Sequence, residues 1–192
     1  MNLPNKLTLA RVILSPLAFI FILFPIGGEI MARIIAAVLF VLISLTDMLD
    51  GKIARKYNLI TNFGKFLDPL ADKFLVIGML CAMCASPMYE GFRAVLVWVT
   101  LLVILRELAI TSLRLLVASS EEKIVIAANI LGKLKTVTQI ACIVVLILEP
   151  LVLPVDKYLI LSWVMIALMG IMTVWSGLSY MKNYIAFINP NE

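Results

Sequence analysis

The feature that most constrains this chain is a series of apolar stretches separated by short polar turns. They run Thr8–Ile26, Ile30–Thr46, Phe74–Ala85, Phe92–Ala118, Leu134–Leu153 and Tyr158–Ile188. A helix needs about 20 residues to cross the hydrocarbon core. The third stretch reaches that length only if its helix begins near Asp68, which places carboxylates in a spanning segment. With 63% of its 192 residues hydrophobic and 15% charged, and a mean hydropathy of +1.09, the chain lacks the polar shell of a soluble domain. The expected fold is all-α and integral to the membrane, with six transmembrane helices in one domain over residues 1–192. The breaks are turn-forming (Gly27-Gly28, Ser86-Pro87, Pro154), and no internal repeat of the transporter kind is present.

The cations set an orientation. With the N-terminus inside, thirteen of the sixteen Lys and Arg fall at inner ends and loops, and Arg33, Arg93 and Lys157 fall outside. Both termini and the polar cavity are therefore expected to face the cytoplasm, in a multi-pass protein of the cell membrane. The net charge of +4 suits an anionic lipid surface; no nucleic-acid partner is expected. Met1–Arg11 reads as an amphipathic lead into the first span, not as a signal peptide, because the apolar run after it is too long and has no small-residue cleavage site.

The absence of histidine from the sequence excludes a Ser-His triad, a histidine base and histidine metal ligands. Cys81 and Cys84 have redox-pair spacing but lie in an apolar helix without further ligands, and Cys142 is a small apolar side chain, so all three read as packing residues. Carboxylates remain for acid–base chemistry.

Those carboxylates are patterned. Asp47-Met-Leu-Asp50-Gly51-Lys-Ile-Ala54-Arg55 and Gly64-Lys-Phe-Leu-Asp68-Pro-Leu-Ala-Asp72 together read D-x2-D-G-x2-A-R-x8-G-x3-D-x3-D. On a helix Asp47 and Asp50 lie about 60° apart, and Asp68 and Asp72 share a face one turn apart. The short connection lets the two helix ends meet as antiparallel neighbours, with four carboxylates at one depth. Ionised together in a partly dry site they repel, unless protons or cations intervene. Oxygen donors alone favour a hard cation, Mg²⁺ or Mn²⁺, and two such ions can bridge a diphosphate. Gly51 and Ala54 leave room for a base or ribose, and Arg55 offers a fork to phosphate oxygens. Interfacial solvation, pairing of Asp72 with Lys73 or Lys65, or a proton or cation pathway would also use such carboxylates. The proton or cation pathway explains neither the small residues nor the surrounding cations.

The pattern resembles the signature of the CDP-alcohol phosphotransferase family at each defined position. The resemblance implies a six-helix membrane fold, a cytosol-facing cavity for a CDP-linked alcohol, and two divalent ions held by Asp47, Asp50, Asp68 and Asp72. It further implies that Gly51 and Arg55, with Thr61, contact the CDP moiety, and that Asp72 removes the acceptor's hydroxyl proton. A homodimer is expected from the same resemblance.

Asn2-Leu-Pro-Asn5-Lys-Leu-Thr8-Leu-Ala-Arg11, Arg106-Glu107-x6-Arg114 and Leu131-Gly-Lys133-Leu-Lys135-Thr136 resemble the branch of that family whose acceptor is a glycerol phosphate. The likeness extends to roughly residue 140. Arg106 and Arg114 lie nearly on one face, about 12 Å apart along the axis, and Lys133 and Lys135 lead into the next helix from the same side. This basic group is expected to hold an acceptor phosphate, although positive-inside topology alone also accounts for such residues, and Lys123 is read that way. Asn5, Thr8 and Arg11 share a face and either line the nucleotide site or cap the first helix and snorkel. The expected reaction joins CDP-diacylglycerol and sn-glycerol 3-phosphate, giving phosphatidylglycerol phosphate and CMP by one in-line displacement. The alternatives are the same chemistry on inositol phosphate, serine or phosphatidylglycerol, a cation or proton transporter, and a structural scaffold.

Overall fold

A computed structural model describes residues 2–56, 61–118, 130–153 and 159–188; over 47–56 it describes helical backbone alone. Among these residues it contains six α-helices: α1 (Leu3–Leu23), α2 (Glu29–Lys56), α3 (Asn62–Ala85), α4 (Arg93–Ala118), α5 (Ile130–Val152) and α6 (Ile160–Ile188). A single 3-10 turn, Pro87–Phe92, leads into α4. Five of the helices, all except α3, carry an apolar stretch long enough to cross a membrane. In α3 the first half holds Lys65, Asp68, Asp72 and Lys73, which dilutes its apolar character. Trp98, Leu105, Leu108, Trp175 and Leu178 are more than half exposed on α4 and α6, where hydrocarbon and not water is the matching solvent. The protein is therefore all-α and built as a multi-pass membrane protein.

Local chemistry sets the helix ends. The Asn2 side chain caps α1 by accepting from the Asn5 backbone N–H at 3.2 Å. Gly27 and Gly28 take φ of +80° and +96° between α1 and α2, a region that side-chain-bearing residues rarely adopt. Thr61 caps α3, accepting from the Gly64 N–H at 3.0 Å. Two helices outrun their apolar stretches. The helix α2 continues ten residues past Thr46, so Asp47, Asp50, Gly51 and Arg55 all lie on its C-terminal turns, and α3 begins six residues before Asp68.

The helices close into a ring. The first, α1, lies between α2 and α3; α3 packs on α4, α4 on α6, α6 on α5, and α5 returns to α2. Small residues face the contacts, among them Ala18, Ala32 and Ala36, all fully buried, so that backbones approach closely. At Gly78 a Cβ would lie 2.5 Å from the Phe19 ring, the tightest such approach between α1 and α3. Phe40, Met79, Leu96, Ile143 and Met169 fill the centre with no exposed surface.

The end of the ring away from the carboxylate motif is sealed by buried polar groups. Arg33, 5% exposed, donates from Nη1 to the Tyr89 hydroxyl (3.2 Å) and the Leu146 carbonyl (3.3 Å), and from Nη2 to the Met88 carbonyl (3.2 Å). Its guanidinium also lies 4.9 Å from the Tyr89 ring centroid. Glu149 on α5 accepts from the backbone N–H of Leu161 (3.0 Å) and Ser162 (2.6 Å) and from the Ser162 hydroxyl, and so caps α6. Arg33→Met leaves a buried hydroxyl and two carbonyls without their donor. A loss of about 2 kcal/mol, or about 4–8 °C in Tm, is expected. Thermal unfolding in detergent checks it, and an unchanged Tm would remove Arg33 from the seal.

Candidate active site

The opposite end holds the motif. On α3, Asp68 and Asp72 stand one turn apart, with Asp68 exposed and Asp72 half-buried. The Thr8 hydroxyl of α1 donates to Asp68 Oδ1 at 2.8 Å. One turn earlier Asn5, itself buried, pairs its amide with the Thr61 hydroxyl at 2.9 and 3.1 Å. Gly64 is needed beneath this pair, since a Cβ there would meet Asn5 Oδ1 at 2.8 Å. Asn5 and Thr8 are thus the seam that fixes α1 to the N-terminal half of α3, while the capping role belongs to Asn2. Arg11, one turn on, does not snorkel: it is 2% exposed and lines the interior cavity. The side chains of Asp47, Asp50 and Arg55, and any contact of Gly51, lie outside the described residues, as does Lys123.

That cavity has a volume of about 790 Å³, within the range of small-molecule sites. Asp72, Arg106, Arg114, Lys133 and Lys135 all line it, so the carboxylate motif and the basic group occupy one space. With Arg11 and Lys73 the lining carries six cations against two carboxylates, Asp72 and Glu107. Such an excess attracts an anionic ligand.

Glu107 organises this charge. Its Oε1 receives Arg106 Nη1 at 3.1 Å and the Lys135 ammonium, and its Oε2 lies 3.9 Å from Lys73 Nζ. Lys73 also donates to the Thr111 hydroxyl, which itself donates to the Glu107 carbonyl at 2.7 Å. One carboxylate on α4 thereby holds cations from α3, α4 and α5. Arg106 packs against Gly177 of α6, where a Cβ would come 3.3 Å from its Cγ. Arg114 donates from Nε to the Tyr180 hydroxyl at 2.8 Å, with its guanidinium 5.3 Å from that ring's centroid.

Several lining residues escape a reading of the sequence. Lys73 reads as a neighbour for Asp72, yet turns to Glu107 and Thr111. Glu107 reads as one partner for Arg106 and in fact serves three cations. Gln139 carried a legible signal, lying four residues after Lys135, whereas Tyr180 lies in a stretch whose hydrophobicity marks no face. The cysteines sit apart from the cavity lining: Cys142 is in the core, and Cys84 Sγ is 3.5 Å from the Thr100 hydroxyl.

With this geometry in view, comparison with known proteins is decisive. A family model described as CDP-alcohol phosphatidyltransferase matches residues 1–175. The chain belongs to the CDP-alcohol phosphatidyltransferase family. The match continues well beyond residue 140 and into α6. A Bacillus subtilis (strain 168) protein named CDP-diacylglycerol–glycerol-3-phosphate 3-phosphatidyltransferase is 45% identical over 159 residues, 78% of each chain. A Rickettsia typhi protein of the same name is 38% identical over 181 residues, 94% of this chain and 96% of that one. Another of that name, from Salmonella choleraesuis, is 33% identical over 184 residues, 94% and 93% of the two chains.

The family is generally dependent on divalent metal; among the described residues no group of three candidate ligands comes together, and two of the motif carboxylates are described. Asp68 and Asp72 offer oxygen donors, the kind a hard cation takes, and the Thr8 hydroxyl fixes the orientation of the Asp68 carboxylate.

Neutralising Glu107 tests the charge arrangement. Glu107→Gln leaves three cations facing one another, and a loss of about 2 kcal/mol, about 4–8 °C in Tm, is expected. Millimolar inorganic phosphate is expected to restore part of the loss by binding the folded state. A variant that melts with the wild type, with and without phosphate, would show that Glu107 does not balance these charges.

Proposed function

We propose that this protein transfers the phosphatidyl group of CDP-diacylglycerol to sn-glycerol 3-phosphate, releasing CMP and phosphatidylglycerol phosphate, as a phosphatidylglycerophosphate synthase. The observation that carries this reading is the shared cavity, in which a motif carboxylate, Asp72, faces a basic lining suited to a phosphate dianion. The names of relatives at up to 45% identity point to the same donor and acceptor.

The acceptor's phosphate is held by Arg106, Arg114, Lys133 and Lys135, which leaves its primary hydroxyl for Asp72. Asp72 takes the hydroxyl proton, and the oxygen attacks the β-phosphorus of CDP-diacylglycerol. As that bond forms, the bond from the β-phosphorus to the bridging oxygen breaks, and CMP leaves with that oxygen. Asp47, Asp50, Asp68 and Asp72 would hold two divalent ions, Mg²⁺ or Mn²⁺, which when bound supply positive charge to the diphosphate. Gly51 and Arg55 receive the CDP moiety, and Arg11 reaches the diphosphate from the cavity wall. Thr61, Asn5 and Thr8 support the CDP side by fixing α3. The described residues offer no cysteine at the cavity, and a single displacement needs no covalent intermediate.

On this reading α3 is the sixth span, both termini and the cavity face the cytoplasm, and the acyl chains stay in the bilayer. The working form is a homodimer in the cell membrane.

The test is CMP release by detergent-purified protein given CDP-diacylglycerol and Mg²⁺, with and without sn-glycerol 3-phosphate. Release is expected to require the acceptor and to fall by at least about 1,000-fold in Asp72→Asn, which lacks both the base and a metal ligand. Release supported only by inositol phosphate, serine or phosphatidylglycerol would replace the acceptor. No release from folded protein with any of them would end the enzyme reading. Arg106→Ala or Lys135→Ala is expected to raise KM for glycerol 3-phosphate by about 10-fold or more, with little change in KM for CDP-diacylglycerol.

A further inference from the structure

Most polar side chains inside the helical ring have a local partner. The hydroxyls of Thr136, Thr138 and Thr173 donate to carbonyls one turn back, those of Gly132, Leu134 and Met169. Lys135 is matched by Glu107. Gln139 is different. It is 1% exposed and lines the cavity, yet its amide nitrogen is buried and has no hydrogen-bond partner among the described residues. A buried donor left unmade is costly, and native structures keep few of them without a reason. A buried glutamine turned into a cavity, with its amide nitrogen unmatched, calls for a ligand.

Its position narrows the ligand. Gln139 follows Lys135 by four residues, so the two stand on one face of α5 about one turn apart. Across the cavity wall α2 contributes Ser44, whose hydroxyl oxygen is likewise buried and without a partner. The Nε of Arg106 is a third such atom in the same lining. One cationic and two neutral hydrogen-bonding groups thus face a shared space beside Lys135. A phosphate takes the cation; the neutral pair suits an uncharged hydroxyl, which accepts from an amide and donates to a serine oxygen.

We propose that Gln139, assisted by Ser44, reads the middle hydroxyl of the acceptor's glycerol backbone and makes the site selective for a polyol phosphate over a simple hydroxyalkyl phosphate. The assignment rests on the acceptor proposed above. Once the phosphate is held by the basic group and the primary hydroxyl meets Asp72, the middle hydroxyl is the one polar group of the acceptor still to be matched. A site built to hydrogen-bond a hydroxyl rejects an analogue lacking it far more strongly than an apolar pocket rejects a change of size.

The experiment compares kcat/KM for sn-glycerol 3-phosphate and 3-hydroxypropyl phosphate, which lacks only the middle hydroxyl, at saturating CDP-diacylglycerol. The wild type is expected to favour the glycerol compound by about 30-fold or more. Gln139→Met, close in length and volume, is expected to lose about 10–100-fold on glycerol 3-phosphate and little on the analogue, so that the ratio collapses. KM for CDP-diacylglycerol is expected to hold. Equal use of the two acceptors by the wild type overturns the assignment without any variant. So does a ratio that survives in Gln139→Met, or a rise in KM for CDP-diacylglycerol alone, which would place the amide against a donor-lipid ester. Absence of turnover with both acceptors overturns the function proposed above and this assignment with it, whereas turnover with both at equal efficiency overturns this assignment alone.

Discussion

The motif end of the protein depends on one carboxylate. Glu107 faces Arg106, Lys135 and Lys73 at the point where α3, α4 and α5 converge. Three cations cannot share a small, largely apolar enclosure without a counter-charge, because desolvation and mutual repulsion both oppose it. A second carboxylate at the same spot would cut the local excess from two positive charges to one and weaken the pull on an anion. One carboxylate lets the helices close while the lining keeps an excess of positive charge. The same interaction therefore holds the fold together and sets the electrostatic character of the cavity.

Around this point the two ends of the ring are built on different principles. Away from the motif, Arg33 is satisfied by carbonyls and a phenol, and Glu149 by the N–H groups of a helix end. Fixed neutral groups of the fold thus meet both of these charged side chains. At the motif end, among the described residues, the amide nitrogen of Gln139 and the Nε of Arg106 are unmatched beside an open cavity. The helix α1 links the ends. Its Phe19 ring packs against Gly78 of α3, and its Asn5 and Thr8 meet Thr61, the cap of α3, and Asp68 on that helix. A substitution in the first dozen residues thus acts on the carboxylate helix through rigid packing.

Much of this was legible in the sequence, and the rest fails for identifiable reasons. Hydropathy finds spans because hydrocarbon selects composition directly. It ends α2 at Thr46, since it cannot see that a helix continues through polar residues once its apolar part is anchored. The spacing of Arg106 and Arg114 reveals a shared face, and Lys133 and Lys135 mark one end of the next helix, but not that these groups meet; that requires α4, α5 and α6 to be neighbours in the ring. Tyr180 illustrates the limit. The helix α6 is apolar on all sides, so periodicity carries no information about its inward face, and only its approach to Arg114 distinguishes the tyrosine. Glu107 shows a different limit: adjacency to Arg106 reveals one contact, whereas its other two come from distant elements of the chain.

The division of labour among helices follows from what the two proposed substrates are. A lipid-linked donor is insoluble and enters sideways, so the residues assigned to it belong on α2 and α3, with acyl chains left in the bilayer. A small phosphorylated acceptor is water-soluble and must give up its hydration to enter. On the function proposed, the cavity replaces that hydration group by group: cations for the phosphate, a carboxylate for the attacking hydroxyl and, on the assignment made for Gln139, an amide for the remaining hydroxyl. Asp72 belongs to both sets, standing on α3 with the donor's carboxylates and opening into the acceptor's cavity. A displacement reaction needs one residue placed at such a junction, because the acceptor oxygen must be activated where the donor phosphorus is held. The packing of α3 against both α1 and α4 fixes that junction, which is why so much of the polar chemistry of the chain is spent on holding α3 in place.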